Sequence, residues 1–245
     1  MSEFAGRVAI VTGSSSGIGE AIARRLAALG ASVVVNSVSS VEAGREIASV
    51  LGADSIYVQA DIADKASGQR LIDETLSRYG RLDILVNNAG WTTAVPQPDL
   101  DALTDEIFAR TFQVNVTGTW LLTKAAMPHL KKSEDGNVLS VTSVAGVRPV
   151  GSSIAYSMSK AALNHMTRLL ARACAPVRVN AIAPGLVDTP WTRDWQAQHQ
   201  VVKAMAPLHR SATPDDCAEA ALALLRNRYV TGEVFVVDGG LTLVI

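Results

Sequence analysis

Short runs rich in valine and isoleucine recur along the sequence, with stretches long enough for a helix between them. The runs are Val8–Val11, Ser32–Val35, Ser55–Val58, Leu82–Val86, Asn137–Val141, Val177–Asn180 and Val234–Val237. They are continuously apolar or β-branched instead of alternating with polar residues, the pattern of parallel strands covered on both faces. Between the first two runs, Ile18, Ile22, Leu26 and Leu29 are spaced by four, four and three, which lines one helix face, and Gly30 follows as a stop. A long helix is predicted from about Leu103 to Leu130, carrying Ile107, Phe112, Val116 and Leu122, and another from Ile154 to about Cys174. Strand alternating with helix predicts an α/β fold, a doubly wound parallel sheet of about seven strands with helices on both faces. No repeat, low-complexity tract or Pro/Gly/Ser-rich linker marks a boundary, so residues 1–245 read as one domain.

Composition narrows the function classes. Apolar residues make up 48% of the 245 and charged residues 18%, enough for a sizeable core. With 22 bases against 23 acids the net charge is −1, which disfavours a nucleic-acid partner bound through phosphate neutralisation. Cys174 and Cys217 form no C-x-x-C pair, so neither a disulfide framework nor a cysteine-rich zinc site is expected. The four histidines show no ligand spacing, and no catalytic metal is expected. No stretch approaches the ~18 apolar residues of a membrane span. The first run is too short for a signal-peptide core, so a cytoplasmic location is expected.

The first strand runs directly into Thr12-Gly13-Ser14-Ser15-Ser16-Gly17-Ile18-Gly19, where a helix begins. Gly13 permits the sharp turn, Gly17 lets backbone approach a pyrophosphate, and Gly19 allows close packing of helix and strand. The free N–H groups and dipole of the helix start favour negative charge there. A tight connection without a ligand would need only some of these features; the order strand, glycine loop, helix points to a dinucleotide.

The spacing T-G-x-x-x-G-x-G is not the common G-x-G-x-x-G fingerprint, and it resembles that of the short-chain dehydrogenase/reductase family. Further motifs extend the resemblance over nearly the whole chain. They are Asn87-Asn88-Ala89-Gly90, Asn115 in the long helix, Ser143 after the fifth strand, Tyr156-Ser-Met-Ser-Lys160, Pro184-Gly185 with Val187 and Thr189 beyond it, Thr231-Gly232, and Val237-Asp238-Gly239-Gly240. The resemblance implies an NAD(P)-dependent oxidoreductase interconverting a secondary alcohol and a ketone. It implies a catalytic set of Asn115, Ser143, Tyr156 and Lys160. It places Gly13, Ser15, Ser16, Gly17, Ile18 and Gly19 at the cofactor, with Asp61 and Ile62 near the adenine. Asn88, Ala89 and Gly90 lie beside the ribose, and Pro184, Gly185, Val187 and Thr189 complete the site. For Asp61 a helix N-cap before Lys65 is an equal alternative.

Tyr156 and Lys160 are four apart, so on a helix they share one face. A free phenol titrates near ~10 and is a poor base at neutral pH. The Lys160 ammonium is expected to favour the phenolate, with an oxidised nicotinamide adding to the effect. Ser143 can hold the substrate oxygen facing Tyr156. The resemblance also gives Lys160 the nicotinamide ribose hydroxyls and Asn115 a place in a water relay to that lysine. Taken alone, Y-x-x-x-K is a common surface pair; Ser143 and Asn115 together turn the reading toward catalysis.

The second strand ends Asn36-Ser37-Val38-Ser39-Ser40, without an acid to repel a ribose phosphate and without a base to bind one. Asn36, Ser37 and Ser39 are expected to donate to that phosphate, so NADP is favoured over NAD. The substrate pocket is expected from residues 91–98, 145–154 and 186–205, with Trp91, Val150, Trp191 and Trp195 making an apolar or aromatic wall for a hydrophobic ketone or alcohol. Packing of the lid tryptophans on the body is the other reading. A 3-oxoacyl-carrier-protein reductase is the nearest alternative, with Lys131, Lys132, Arg168 and Arg172 as a basic patch for an acidic carrier. A catalytically silent dinucleotide-binding regulator is another, though it has no chemical need for all four catalytic residues. The apolar end, residues 241–245, fits the homotetramer that the resemblance implies.

Overall fold

The structure is a computed structural model describing residues 3–52 and 54–245. Its strands are β1 (Val8–Val11), β2 (Ser32–Ser37), β3 (Ile56–Gln59), β4 (Ile84–Asn87), β5 (Asn137–Val141), β6 (Arg178–Pro184) and β7 (Val234–Val237). All pair in parallel, in the order β3-β2-β1-β4-β5-β6-β7. Strand order reverses between β1 and β4, and open α/β sheets place ligands in the crevice beyond the strand ends at that point. In register, Val11 lies beside both Val35 and Val86, so the loops after β1, β2 and β4 open together.

The unbroken apolar runs have a simple cause. In β1, Ala9 and Val11 join a core with α1 (Gly17–Ala28) and α8 (Pro214–Arg226), which supply Ile22, Leu26, Leu222 and Leu225. Ile10 points the other way, into a core with Leu71 and Ile72 of α3 (Lys65–Tyr79) and Leu122 and Leu130 of α5 (Thr119–Leu130). Successive strand residues face opposite sides, and both sides are covered. The doubly wound sheet expected from the sequence is therefore present. Among the described residues, no helix is long and apolar enough to cross a membrane.

The region expected as one helix from Leu103 to Leu130 is divided. Thr104 caps α4 (Asp105–Phe112), a π-helical turn spans Gln113–Gly118, and α5 follows. The wider turn directs Val114, Asn115 and Gly118 inward together. Gly118 meets the loop after β3 so closely that a Cβ there would lie 2.6 Å from the Ile62 carbonyl oxygen. Local π insertions of this kind are frequent at functional sites, and no 3.6-residue periodicity announces one. The remaining helices are α2 (Val41–Leu51), α6 (Ile154–Ala173) and α7 (Gln196–Met205).

Candidate active site

Beyond the strand ends lies a cavity of about 1090 Å³. Its phosphate end is built by the loop after β1. Thr12 Oγ1 accepts from the Asn88 and Ala89 N–H groups, each at 3.0 Å, while Asn88 Nδ2 donates to the Thr12 and Gly13 carbonyls. Gly13 and Gly17 have φ of 61° and 58°, the left-handed region in which glycine is unstrained. Ser16 precedes α1 without a side-chain cap, which leaves the helix's first N–H groups to a ligand. Gly13, Ser15, Ser16, Gly17 and Ile18 line the cavity, as do Ile62, Asn88, Ala89 and Gly90. Pro184, Gly185, Val187 and Thr189 line it as well. A glycine cradle, an uncapped helix start and this volume fit a dinucleotide.

Gly19 is not a lining residue. A Cβ there would lie 2.4 Å from Asn88 Nδ2 and 2.6 Å from the Gly13 carbonyl oxygen, so it seats α1 against the loops. Asp61 also leaves the cavity wall: its Oδ1 accepts from Ala63 N–H, and the cap of α3 is Asp64, which accepts from Ser67 N–H at 2.7 Å. Asn36 lines the cavity, but its amide hydrogens go to the Val58 and Ala60 carbonyls, each at 3.1 Å, and its Oδ1 receives Gly13 N–H. It ties β2 to β3 and has no hydrogen left for a ribose phosphate. Ser37 shares its hydroxyl with Tyr57, 2.9 Å away, while Ser39 and Ser40 are exposed beside the uncapped start of α2.

The chemical end is carried by α6. Ser153 caps this helix by accepting the N–H of Tyr156 itself at 3.1 Å, which fixes the tyrosine in the first turn. Lys160 follows one turn on, only 4% exposed, with Nζ 5.5 Å from the Tyr156 ring centre and donating to the Val141 carbonyl at 2.9 Å. Ser143, two residues beyond β5, caps a 3₁₀ turn, Val144–Gly146, by accepting the Ala145 N–H. Gly146 lets that turn sit flush on α6, since a Cβ would be 2.6 Å from the Lys160 carbonyl carbon. Ser143, Tyr156 and Lys160 all line the cavity.

Burial dominates the electrostatics. It pushes the Tyr156 phenol up to about 12, which hydrogen bonding with Ser143 only partly offsets. Burial likewise pulls the Lys160 ammonium down to about 8. The expected lowering of Tyr156 by Lys160 is not seen in the protein alone, because desolvation disfavours both charged forms. At neutral pH Tyr156 keeps its proton and can donate it.

Asn115 and Trp91 are brought together, but not at the cavity wall. Asn115 Oδ1 accepts from Trp91 N–H at 2.7 Å, and its Nδ2 donates to the Trp91 carbonyl and Ser159 Oγ, each at 3.0 Å. Its amide clamps the loop after β4. Trp91 contributes its backbone to that clamp and is not among the residues lining the cavity. Val150, Trp191 and Trp195 do line the cavity, as do Val95 and Pro96 from the segment expected to form the pocket. Leu241 joins them and had no cue beyond the apolar run in which it sits.

A glycine cradle at the switch point of a doubly wound sheet, with a phenol, a hydroxyl and a buried ammonium converging beside it, defines a dinucleotide-dependent oxidoreductase. A family profile described as enoyl-(acyl carrier protein) reductase matches residues 13–242. A relative from Streptomyces violaceoruber, whose name assigns it to the granaticin polyketide synthase as ketoacyl reductase 2, is 52% identical over 239 residues, 95% of each chain. The 3-ketoacyl-(acyl-carrier-protein) reductase of Brucella melitensis, solved with NADH, superimposes with a TM-score of 0.91 at 34% identity, over 98% of this chain and 100% of that one. A short chain dehydrogenase from Burkholderia cenocepacia J2315, solved with NADP, also has a TM-score of 0.91 and 34% identity, over 98% and 99%. The chain belongs to the short-chain dehydrogenase/reductase family. It is an NAD(P)-dependent oxidoreductase of alcohol and carbonyl groups.

Proposed function

We propose that this protein, working as one unit over residues 1–245, reduces a ketone to a secondary alcohol with NADPH as its preferred donor. The observation that carries the reading is the convergence of Tyr156, Ser143 and Lys160 on one cavity wall, with Tyr156 protonated at neutral pH. Ser143 holds the carbonyl oxygen, and Tyr156 gives that oxygen its proton. Lys160 holds the ribose hydroxyls, and Asn115 acts by positioning the loop that carries Gly90. A bound nicotinamide dinucleotide supplies the hydride.

The preference for NADPH is supported by the lack of an acid at the end of β2 and by Ser39 and Ser40 at the uncapped start of α2. Asn36 takes no part in it. Equilibrium binding of NADPH and NADH, followed by ketone-dependent oxidation of the bound one, tests both statements. Tighter NADPH binding and turnover are expected. Tighter NADH binding overturns the preference, and binding of neither overturns the function.

A carrier-bound 3-oxoacyl substrate is the second reading, favoured by the names of the Streptomyces and Brucella relatives. Lys131, Lys132, Arg168 and Arg172 are all exposed and available to an acidic carrier. We further infer a cytoplasmic homotetramer. Exposed apolar side chains support it: Phe235 on edge strand β7, Leu243, Val244 and Ile245 after it, Trp120 on α5 and Leu169 on α6. Light scattering after size exclusion is expected to give four chains; a clean monomer overturns it.

A further inference from the structure

The substrate end of the cavity is lined by two hydrogen-bonded sets of segments. Val95 N–H donates to the Ser152 carbonyl at 2.8 Å, and the Thr92 and Ser152 hydroxyls are 2.7 Å apart. The loops after β4 and β5 are thereby joined into one wall carrying Val95, Pro96 and Val150. Facing it is the segment from Thr189 through α7. There Thr192 Oγ1 donates to the Val187 carbonyl at 2.6 Å. His199 clasps α7 to the same turn: Nε2, facing the Thr192 carbonyl at 3.2 Å, must donate, while Nδ1 meets Ser211 Oγ at 2.7 Å.

Two features of this space select its occupant. The first is charge. Among the described residues lining the cavity, the ionisable side chains are Tyr156 and Lys160 alone; no Asp, Glu, Arg or His contributes. Lys160 is the one cation there, bonded to the Val141 carbonyl and, in the proposed function, to the ribose hydroxyls, so a substrate carboxylate or ammonium brought to this end finds no further charged partner for the hydration it loses. The second is uncovered apolar surface. Trp191 is 49% exposed and Val201 55% exposed, yet both line the cavity. The Trp191 ring reaches across it, with Cη2 3.7 Å from the point a Gly90 Cβ would occupy, the same distance from that point as Lys160 Nζ. A flat ring laid against the two indoles would cover that surface and bring its carbonyl to Ser143 and Tyr156.

Resting on the oxidoreductase reading, we propose that the substrate is an uncharged ketone whose ring system includes a flat aromatic ring, gripped between Trp191 and Trp195 on one side and Val95, Pro96 and Val150 on the other. Trp191 and Trp195 are then the specificity-determining side chains. The ketone is reduced to the alcohol, with the hydride from the nicotinamide going to carbon and the Tyr156 proton to oxygen.

The test measures initial rates with saturating cofactor on 2-tetralone, a ring-carboxylated 2-tetralone and cyclohexanone. Expected kcat/KM for 2-tetralone is ~10-fold above cyclohexanone and ~100-fold above the carboxylate. Trp191→Ala and Trp195→Ala are expected to bring the tetralone-to-cyclohexanone ratio within ~3-fold, acting through KM, with Trp191→Phe restoring most of it. Equal rates on the neutral and carboxylated tetralones overturn the proposal, as does a ratio unmoved by either alanine. If no ketone oxidises either cofactor, the oxidoreductase reading itself fails. Quenching of tryptophan fluorescence by the same three compounds then decides the ligand class: neutral over anionic supports it, and the reverse overturns it.

Discussion

At the N-terminal ends of the strands, Asp135 sits 2.9 Å from Arg7 and 3.0 Å from Arg178, and Asp83 accepts from Arg81, Ser133 and the Val8 N–H. Arg178 uses its other hydrogens on the Leu224, Leu225 and Asn227 carbonyls at the end of α8. At the C-terminal ends, Lys160 is buried like Asp83 and more deeply than Asp135, and has one carbonyl oxygen for company. Burial alone would raise both carboxyls, yet their arginines and hydrogen bonds hold them below the usual carboxylate range. Nothing comparable supports the Lys160 charge, and it falls. A buried charge with matched partners is part of the framework; one left without a counter-ion marks where a ligand is meant to bind.

Substitutions at the two ends should separate activity from stability. The largest effect is expected from Tyr156→Phe, a loss of at least ~10³ in kcat for ketone reduction with little change in melting temperature. Asp135→Ala should do the reverse. Losing the charged hydrogen bonds of this partly buried group to Arg7 and Arg178 should cost about 1.5–3 kcal/mol, read by urea unfolding, with kcat of the folded enzyme unchanged.

The pH dependence of stability sharpens the contrast. Between about 8 and the ordinary lysine value of 10.5, the unfolded chain binds a proton at Lys160 that the native chain does not, so stability should rise with pH through that window. The full effect is about 3 kcal/mol, and Lys160→Met should flatten the slope. At the other end the sign is opposite. Asp83 and Asp135 bind protons more readily when unfolded, so their contribution is complete above the ordinary value of 3.8 and is lost as pH falls through their lower native values. The smallest expected effect is Ser153→Ala, about 1 kcal/mol from loss of the α6 cap. A fall in kcat beyond that of a folded control would show that the cap also holds Tyr156 in place.

What could be read in advance followed from local chemistry. The glycine loop, Tyr156, Lys160 and Ser143 are each required by a turn, a helix spacing or a strand end, and such requirements are written in short segments. Asn36, Asp61, Trp91 and Asn115 read differently in space, because their hydrogen bonds and neighbours come from distant chain. Asn36 offered two amide hydrogens in the sequence; only the approach of β3 shows that Val58 and Ala60 take them. Asn115 was placed on a helix, yet a π turn and the Trp91 backbone decide what its amide does.

The sequence by itself determined the doubly wound sheet, the position of its crevice at the strand ends and the set of Ser143, Tyr156 and Lys160 that the fold brings to it. Apolar periodicity and glycine placement constrain the backbone directly. The tertiary structure decided which polar atoms remain free, how strongly burial shifts Tyr156 and Lys160, and which apolar surfaces face one another across the cavity. Those properties depend on solvent exclusion and on contacts between residues far apart in the chain, and no segment carries them alone.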